Sequence, residues 1–175
     1  SDIHSTISVI VFLNPIRTMS KTITIKKGTI LESQGTVNSR VYKVITGLLR
    51  SYVIDEKGKE HIFLFAPEGW TIADSQPIDA PSDLFIDALE DSVVEVHSKE
   101  NGHNSTNTEP LFNRIRVLQK RVLMLMSSSA IERYEHFIAT YPEIVQRVPQ
   151  KMIASYLGIT PEALSATKKK QTKKV

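Results

Sequence analysis

The chain has 175 residues, 41% of them hydrophobic, with a formal charge of +3, enough for one good core plus a small second domain in a folded soluble protein. It contains no cysteine, which excludes disulfides, thiolate metal sites and cysteine nucleophiles and fits a reducing compartment. Charge is uneven: residues 144–175 carry a formal +6 and the rest −3, so positive charge is gathered at one end.

The apolar run at residues 7–13 is interrupted by Ser8 and lacks a basic flank. It is far too short to span a bilayer or act as a convincing leader, so a cytoplasmic protein with no membrane partner is expected. Short strands separated by turn residues follow, at 22–25, 41–45, 48–54, 61–65, 84–88 and 93–96, with glycines at 28, 35, 47, 58 and 69. Spacing near ten residues predicts a small antiparallel β-barrel or jelly roll. The clearest hairpin runs from Leu48 through Asp55-Glu56-Lys57-Gly58 to Phe65, with β-branched and aromatic arms around a polar loop. Residues 101–109 are polar and without periodicity, and read as a linker or exposed loop.

Beyond the linker, Leu111, Ile115, Leu118, Val122 and Leu125 recur at heptad a/d spacing. Such a seam needs a partner, and burial against its own copy in a symmetric homodimer is the commonest solution. Phe112, Leu123, Met124 and Met126 widen the apolar surface, so both the barrel and a second helix should be covered. Residues 130–139 continue helical, with Ile131, Tyr134, Phe137 and Ile138 on one side, until Tyr141-Pro142.

The segment from Val148 to Ser165 has the spacing of two short helices joined by a tight turn, followed by a lysine run. Ile153 and Leu157 share a face, Ala154 permits close crossing, and Gly158 supplies the turn. Thr160 can cap the second helix, with Pro161 at its first position and Glu162 near the positive dipole end. A helix-turn-helix places its second helix in the major groove of double-stranded DNA. The residues assigned to DNA are Gln150, Lys151, Thr160, Glu162, Ser165, Lys168, Lys169 and Lys170. Glutamate can accept from cytosine N4, serine can bond either way, and lysines meet phosphate or guanine. The alternatives are an ordinary helical hairpin and a frayed basic end.

A turn-rich barrel, then a long apolar helix, then a helix-turn-helix resembles the Crp/Fnr family of bacterial transcription regulators over most of the chain. The stretches that carry the likeness are Val41-Tyr42-Lys43-Val44-Ile45-Thr46-Gly47-Leu48-Leu49-Arg50, Ala66-Pro67-Glu68-Gly69-Trp70, and residues 150–165. The resemblance implies an α+β chain: a sensor barrel over 1–100, a dimerisation helix over 109–129 and a DNA-binding helix-turn-helix over 130–175. It also implies an effector pocket at Gly69, Trp70, Ser82 and Asp83. Members that bind cyclic nucleotides present Gly-Glu for the ribose and Arg followed by Ser or Thr for the phosphate. Here Trp70-Thr71-Ile72-Ala73-Asp74 follows Gly69, and Ser82-Asp83 stands where Arg-Ser would align. A carboxylate against an anion costs on the order of kcal/mol, so the expected effector is something other than a cyclic nucleotide, or none. Trp70 either stacks on a ligand or plugs the barrel. Family arginines are replaced by Pro161 and Ala166, and Thr167 stands at a commonly aliphatic position. A sensor or scaffold dimer that no longer reads DNA is therefore the rival. An enzyme is not expected: no His-x-His pair occurs among His4, His61, His97, His103 and His136, and nucleophile-elbow and phosphate-loop motifs are missing. Neither a metal nor another cofactor is expected.

Overall fold

The structure, a computed structural model, describes residues 20–99, 109–127 and 129–172. The run at 7–13, His4, His103, the linker at 101–108, Lys173, Lys174 and the side chain of Leu111 lie outside the described residues. Eight strands come first: β1 (Lys21–Ile25), β2 (Ile30–Glu32), β3 (Arg40–Thr46), β4 (Leu49–Ile54), β5 (Glu60–Ala66), β6 (Thr71–Ile72), β7 (Phe85–Ala88) and β8 (Ser92–Ser98). They pair antiparallel as two four-stranded sheets, β1-β8-β3-β6 and β2-β7-β4-β5. Strand alternation explains the sandwich: Tyr42, Val44, Val94 and Val96 from one sheet meet Leu49, Leu64, Ala66, Ile86 and Ala88 from the other in a common core. The jelly-roll half of the expectation describes this layout. Closure into a barrel does not occur among the described residues, because β2 and β6, at sheet edges, are three and two residues long and bridge nothing.

The β4–β5 hairpin closes through Asp55, whose Oδ1 accepts the amides of Lys57 and Lys59, both at 2.9 Å. One turn has no tolerance for a side chain. Gly47 sits at φ 94° between β3 and β4, and a Cβ there would lie 2.1 Å from Ser92 Oγ and 2.7 Å from the Asp91 carbonyl oxygen.

Four helices follow: α1 (Glu109–Ser127), α2 (Ala130–Thr140), α3 (Gln150–Leu157) and α4 (Pro161–Thr172), with a 3₁₀ turn at Ile144–Gln146. α2 starts at a capping box, in which Ser129 and Glu132 each accept the other's amide. Its inner face belongs to a second core. Tyr52, Ile62 and Phe65 on the outer face of the second sheet join Tyr134, Phe137, Tyr141, Ile144, Ile153, Tyr156, Leu157 and Leu164. Phe65 is the hub, its ring centroid 6.1, 5.9 and 5.8 Å from Phe137, Tyr141 and Tyr156. Each such aromatic pair adds about 0.5–1.5 kcal/mol beyond area burial, so α2, α3 and the sheet are bound as one packed unit.

α1 divides its apolar residues between two faces. Met124 is buried and Leu118 and Leu125 are half-buried against their own molecule, whereas Phe112, Ile115, Val122, Leu123 and Met126 are exposed, Met126 by 78%. The outward stripe of 112, 115, 122 and 126 is therefore rotated from the heptad read in the sequence, sharing Ile115 and Val122 with it. The turn comes from arginines: Arg114 and Arg121 share the inward face with Leu118 and Leu125, a placement that hydrophobic periodicity alone does not anticipate.

Candidate nucleic-acid interface and effector loop

α3 and α4 form a compact bihelical bend. Gly158 ends α3 in the left-handed region at φ 65°, its amide donating to the carbonyls of Ala154 and Ser155. Pro161 opens α4, and Thr160 Oγ1 accepts the Ala163 amide at 3.2 Å. Ile153, Ala154, Leu157 and Leu164 are buried at the crossing. Thr167, also buried, donates its hydroxyl to the Ala163 carbonyl at 2.8 Å, so its polar atom is satisfied within the helix.

The opposite face of α4 is open. Glu162, Ser165, Lys169 and Lys170 are exposed, as is Ala166, and Lys168 is half-buried. Glu162 in the first turn and Lys169 and Lys170 in the last suit the helix dipole. A shallow groove lined by Gln150, Pro161, Ser165, Lys168, Lys169 and Thr172 brings four of the DNA-assigned residues together. None of the ion pairs among the described residues engages Lys168, Lys169 or Lys170. Lys151 and Thr160 sit elsewhere: with Lys59, Glu60, Met152 and Ile159 they line a cleft of about 400 Å³ between this unit and the β4–β5 hairpin.

Polar contacts fix the bend on the sandwich. Arg147 spans three turns, bonding Glu68 at 3.0 Å, Glu90 at 2.7 Å and the Gly47 carbonyl at 3.2 Å. The Arg147 guanidinium holds the Glu68 carboxyl down at about 2. Ser155 caps the free edge of β5, accepting the Ile62 amide and donating to the Glu60 carbonyl, both at 3.0 Å. From α1, Arg121 donates to the carbonyls of Phe63, Ile62 and Tyr156, and from α2, Arg133 donates to those of Leu125 and Leu157. Sequence reading missed these arginines, because their acceptors are backbone carbonyls that no side-chain pattern marks.

The residues assigned to an effector make contacts within the chain. Trp70 packs against Tyr141, the ring centroids 5.3 Å apart and the planes tilted by 35°, joining the two cores rather than an open pocket. Gly69 makes a turn, its amide donating to the Val44 carbonyl. Ser82 is buried and bonds the backbone of Leu84, while Asp83 is exposed and accepts from Gln76. The loop after β6 is filled by the chain itself: Lys99 Nζ reaches Asp74 Oδ1 at 2.8 Å and the Gln76 carbonyl at 2.7 Å. Burial opposes ionisation of Asp74, but Lys99 and the Gln76 amide outweigh it and keep its pKa below the usual value. His61 faces Asp55 at 2.8 Å and His97 faces Glu95 at 3.4 Å, and no cluster among the described residues is suited to a metal ion.

No family model and no curated protein matches the chain. Solved structures do. FixK2 from Bradyrhizobium japonicum is 20% identical with a TM-score of 0.70, over 89% of this chain and 85% of that one. TTHA1359, described as a transcriptional regulator of the CRP/FNR family from Thermus thermophilus, is 16% identical with a TM-score of 0.70, over 88% and 87%. CLP of Xanthomonas campestris, described as a c-di-GMP responsive global regulator, is 14% identical with a TM-score of 0.63, over 89% and 87%. At these identities the likeness establishes the fold: the chain has the architecture of the Crp/Fnr regulators.

Proposed function

We propose that this chain is a DNA-binding transcription regulator that acts as a homodimer. The observation that carries the reading is α4: its inner residues Leu164 and Thr167 dock on the molecule, while Glu162, Ser165, Lys169 and Lys170 stand open to solvent. An exposed helix of this length fits the major groove, and free lysines release counterions from phosphates. The fold shared with FixK2 and TTHA1359 supports the assignment. The outward stripe of α1 supplies the seam for a second copy, and two such copies would present their α4 helices to successive turns of a duplex.

The effector, where one exists, is not a cyclic nucleotide. Ser82-Asp83 offers no guanidinium to a cyclic phosphate, and Lys99 already fills the neighbouring loop. Calorimetry with cyclic AMP should show no heat at micromolar concentrations; binding there would overturn this part of the reading. The regulator itself is tested by mobility shift against genomic fragments over a salt series. Selected fragments should be retained, with affinity falling steeply as salt rises. No retained fragment even at low salt would instead favour a scaffold dimer, the reading that Ala166 in place of a long basic side chain motivates.

A further inference from the structure

Three cations that reach inward among the described residues are matched by carboxylates. Arg50 is held by Asp87 at 2.8 Å and Glu60 at 2.5 Å, Arg147 by Glu68 and Glu90, and Lys99 by Asp74. Arg114 and Arg121 lie two turns apart on the inward face of α1, and neither has a carboxylate within ion-pair distance among the described residues. The Arg121 guanidinium lies 4.0 Å from the Tyr156 ring centroid and 5.6 Å from that of Phe63; that of Arg114 lies 6.0 Å from Phe63. Arg121 bonds only backbone carbonyls, and its Nε–H is buried with no partner. Beside it lies the Tyr141 hydroxyl, on a residue 2% exposed, with the Tyr156 hydroxyl and the Phe65 backbone as its polar neighbours. Burial lowers the pKa of both guanidiniums, and the two repel each other.

Two half-buried guanidiniums with no carboxylate in ion-pair distance among the described residues, one of them with a buried Nε–H that has no partner, are costly unless an anion completes them. We infer that the junction of α1, β5 and α3, bounded by Arg114, Arg121, Tyr141 and Phe63, is a binding site for a small oxyanion or carboxylate. Guanidinium forks match either group, and the faces of Phe63 and Tyr156 hold the forks from behind. Because Arg121 also bonds the Tyr156 carbonyl, an anion here would tie α1 to α3. The inference goes beyond the DNA-binding assignment, and its test does not depend on DNA.

Thermal unfolding of the full chain, in inorganic phosphate or in succinate at constant ionic strength, tests it. The variants are Arg114→Met, Arg114→Lys and, as a control for the α4 lysines, Lys169→Met. At hundredfold excess over the dissociation constant, one anion or both should raise the midpoint of the parent and of Lys169→Met by about 5 °C, saturably. The anion that saturates at lower concentration identifies the ligand as oxyanion or carboxylate. Arg114→Met should lose the response while melting, without anion, no lower than the parent, since it removes an uncompensated buried charge. Arg114→Lys keeps the charge without the fork, so saturation should need about tenfold more anion. The inference is overturned by an absent response in the parent, by a response that survives Arg114→Met, or by one that only Lys169→Met removes. A parent that ignores both anions but dimerises more weakly as Arg114→Met would assign the counter-charge to a second copy, and would equally overturn it.

Discussion

Gly47 and Gly158 share a left-handed backbone and differ in what surrounds them. Alanine at 47 would drive a methyl into Ser92 and the Asp91 backbone, neither of which can retreat without breaking the β3–β8 register. Gly47→Ala should cost about 3 kcal/mol or more in urea unfolding. At Gly158 the nearest atom to an added Cβ is Leu125 Cδ2 at 3.5 Å, so Gly158→Ala should cost only the conformational term, about 1 kcal/mol. Glu68 gives a pH signature of its own. Its carboxyl is depressed to about 2 by Arg147, so its stabilising contribution is complete above the ordinary carboxylate range and fades as pH falls toward 2. The gap in urea midpoint between the parent and Glu68→Gln should therefore be widest near neutrality and close on acidification; a gap independent of pH would sever Glu68 from Arg147. At this scale the sequence was informative where chemistry is local. Thr160, Pro161 and Gly158 announce a cap, a first turn and a stop. It was uninformative at Trp70, whose partner Tyr141 lies 71 residues away in sequence and whose two readings composition cannot separate.

Among the elements, the six longer strands and all four helices leave periodic or turn-bounded patterns, whereas β2 and β6 are too short to show any. α1 is the instructive case. Heptad spacing finds the helix, but the rotation of its outward face is set by Arg114 and Arg121, which face Phe63 and Tyr156. Substitution on that face should separate association from folding. Ile115→Asp with Val122→Asp places charge on residues 40% and 54% exposed, outside both cores. Sedimentation should show a monomer with a near-native melting temperature; a persistent dimer would remove α1 from the interface. Arg121→Met should be more damaging to the monomer, by about 2–3 kcal/mol, because it strands the carbonyls of Ile62 and Phe63 at the edge of β5 and that of Tyr156 in α3.

For the whole molecule, sequence order conveyed the succession of sandwich, long helix and bihelical bend, because each part has its own period and turn chemistry. The single core that fuses Phe65 and Ile62 of the sheet with Phe137, Tyr141 and Tyr156 was not legible, since it depends on which outer face the helices choose. That fusion fixes the geometry of the helical unit: α3 is held at β5 and Arg147 at three turns, so the open face of α4 is held at a fixed angle to the sandwich. The lysines of α4 should then act through phosphate. Replacing Lys168, Lys169 and Lys170 by glutamine should flatten the dependence of log affinity on log salt by about one unit for each lysine that meets a phosphate. The most direct measurement is a hydroxyl-radical footprint of the dimer on a retained genomic fragment. Two protected patches related by twofold symmetry are expected, centred about 10 base pairs apart, both lost when the α4 lysines are replaced. A single patch, or protection that survives that replacement, would contradict a dimer that reads DNA through α4.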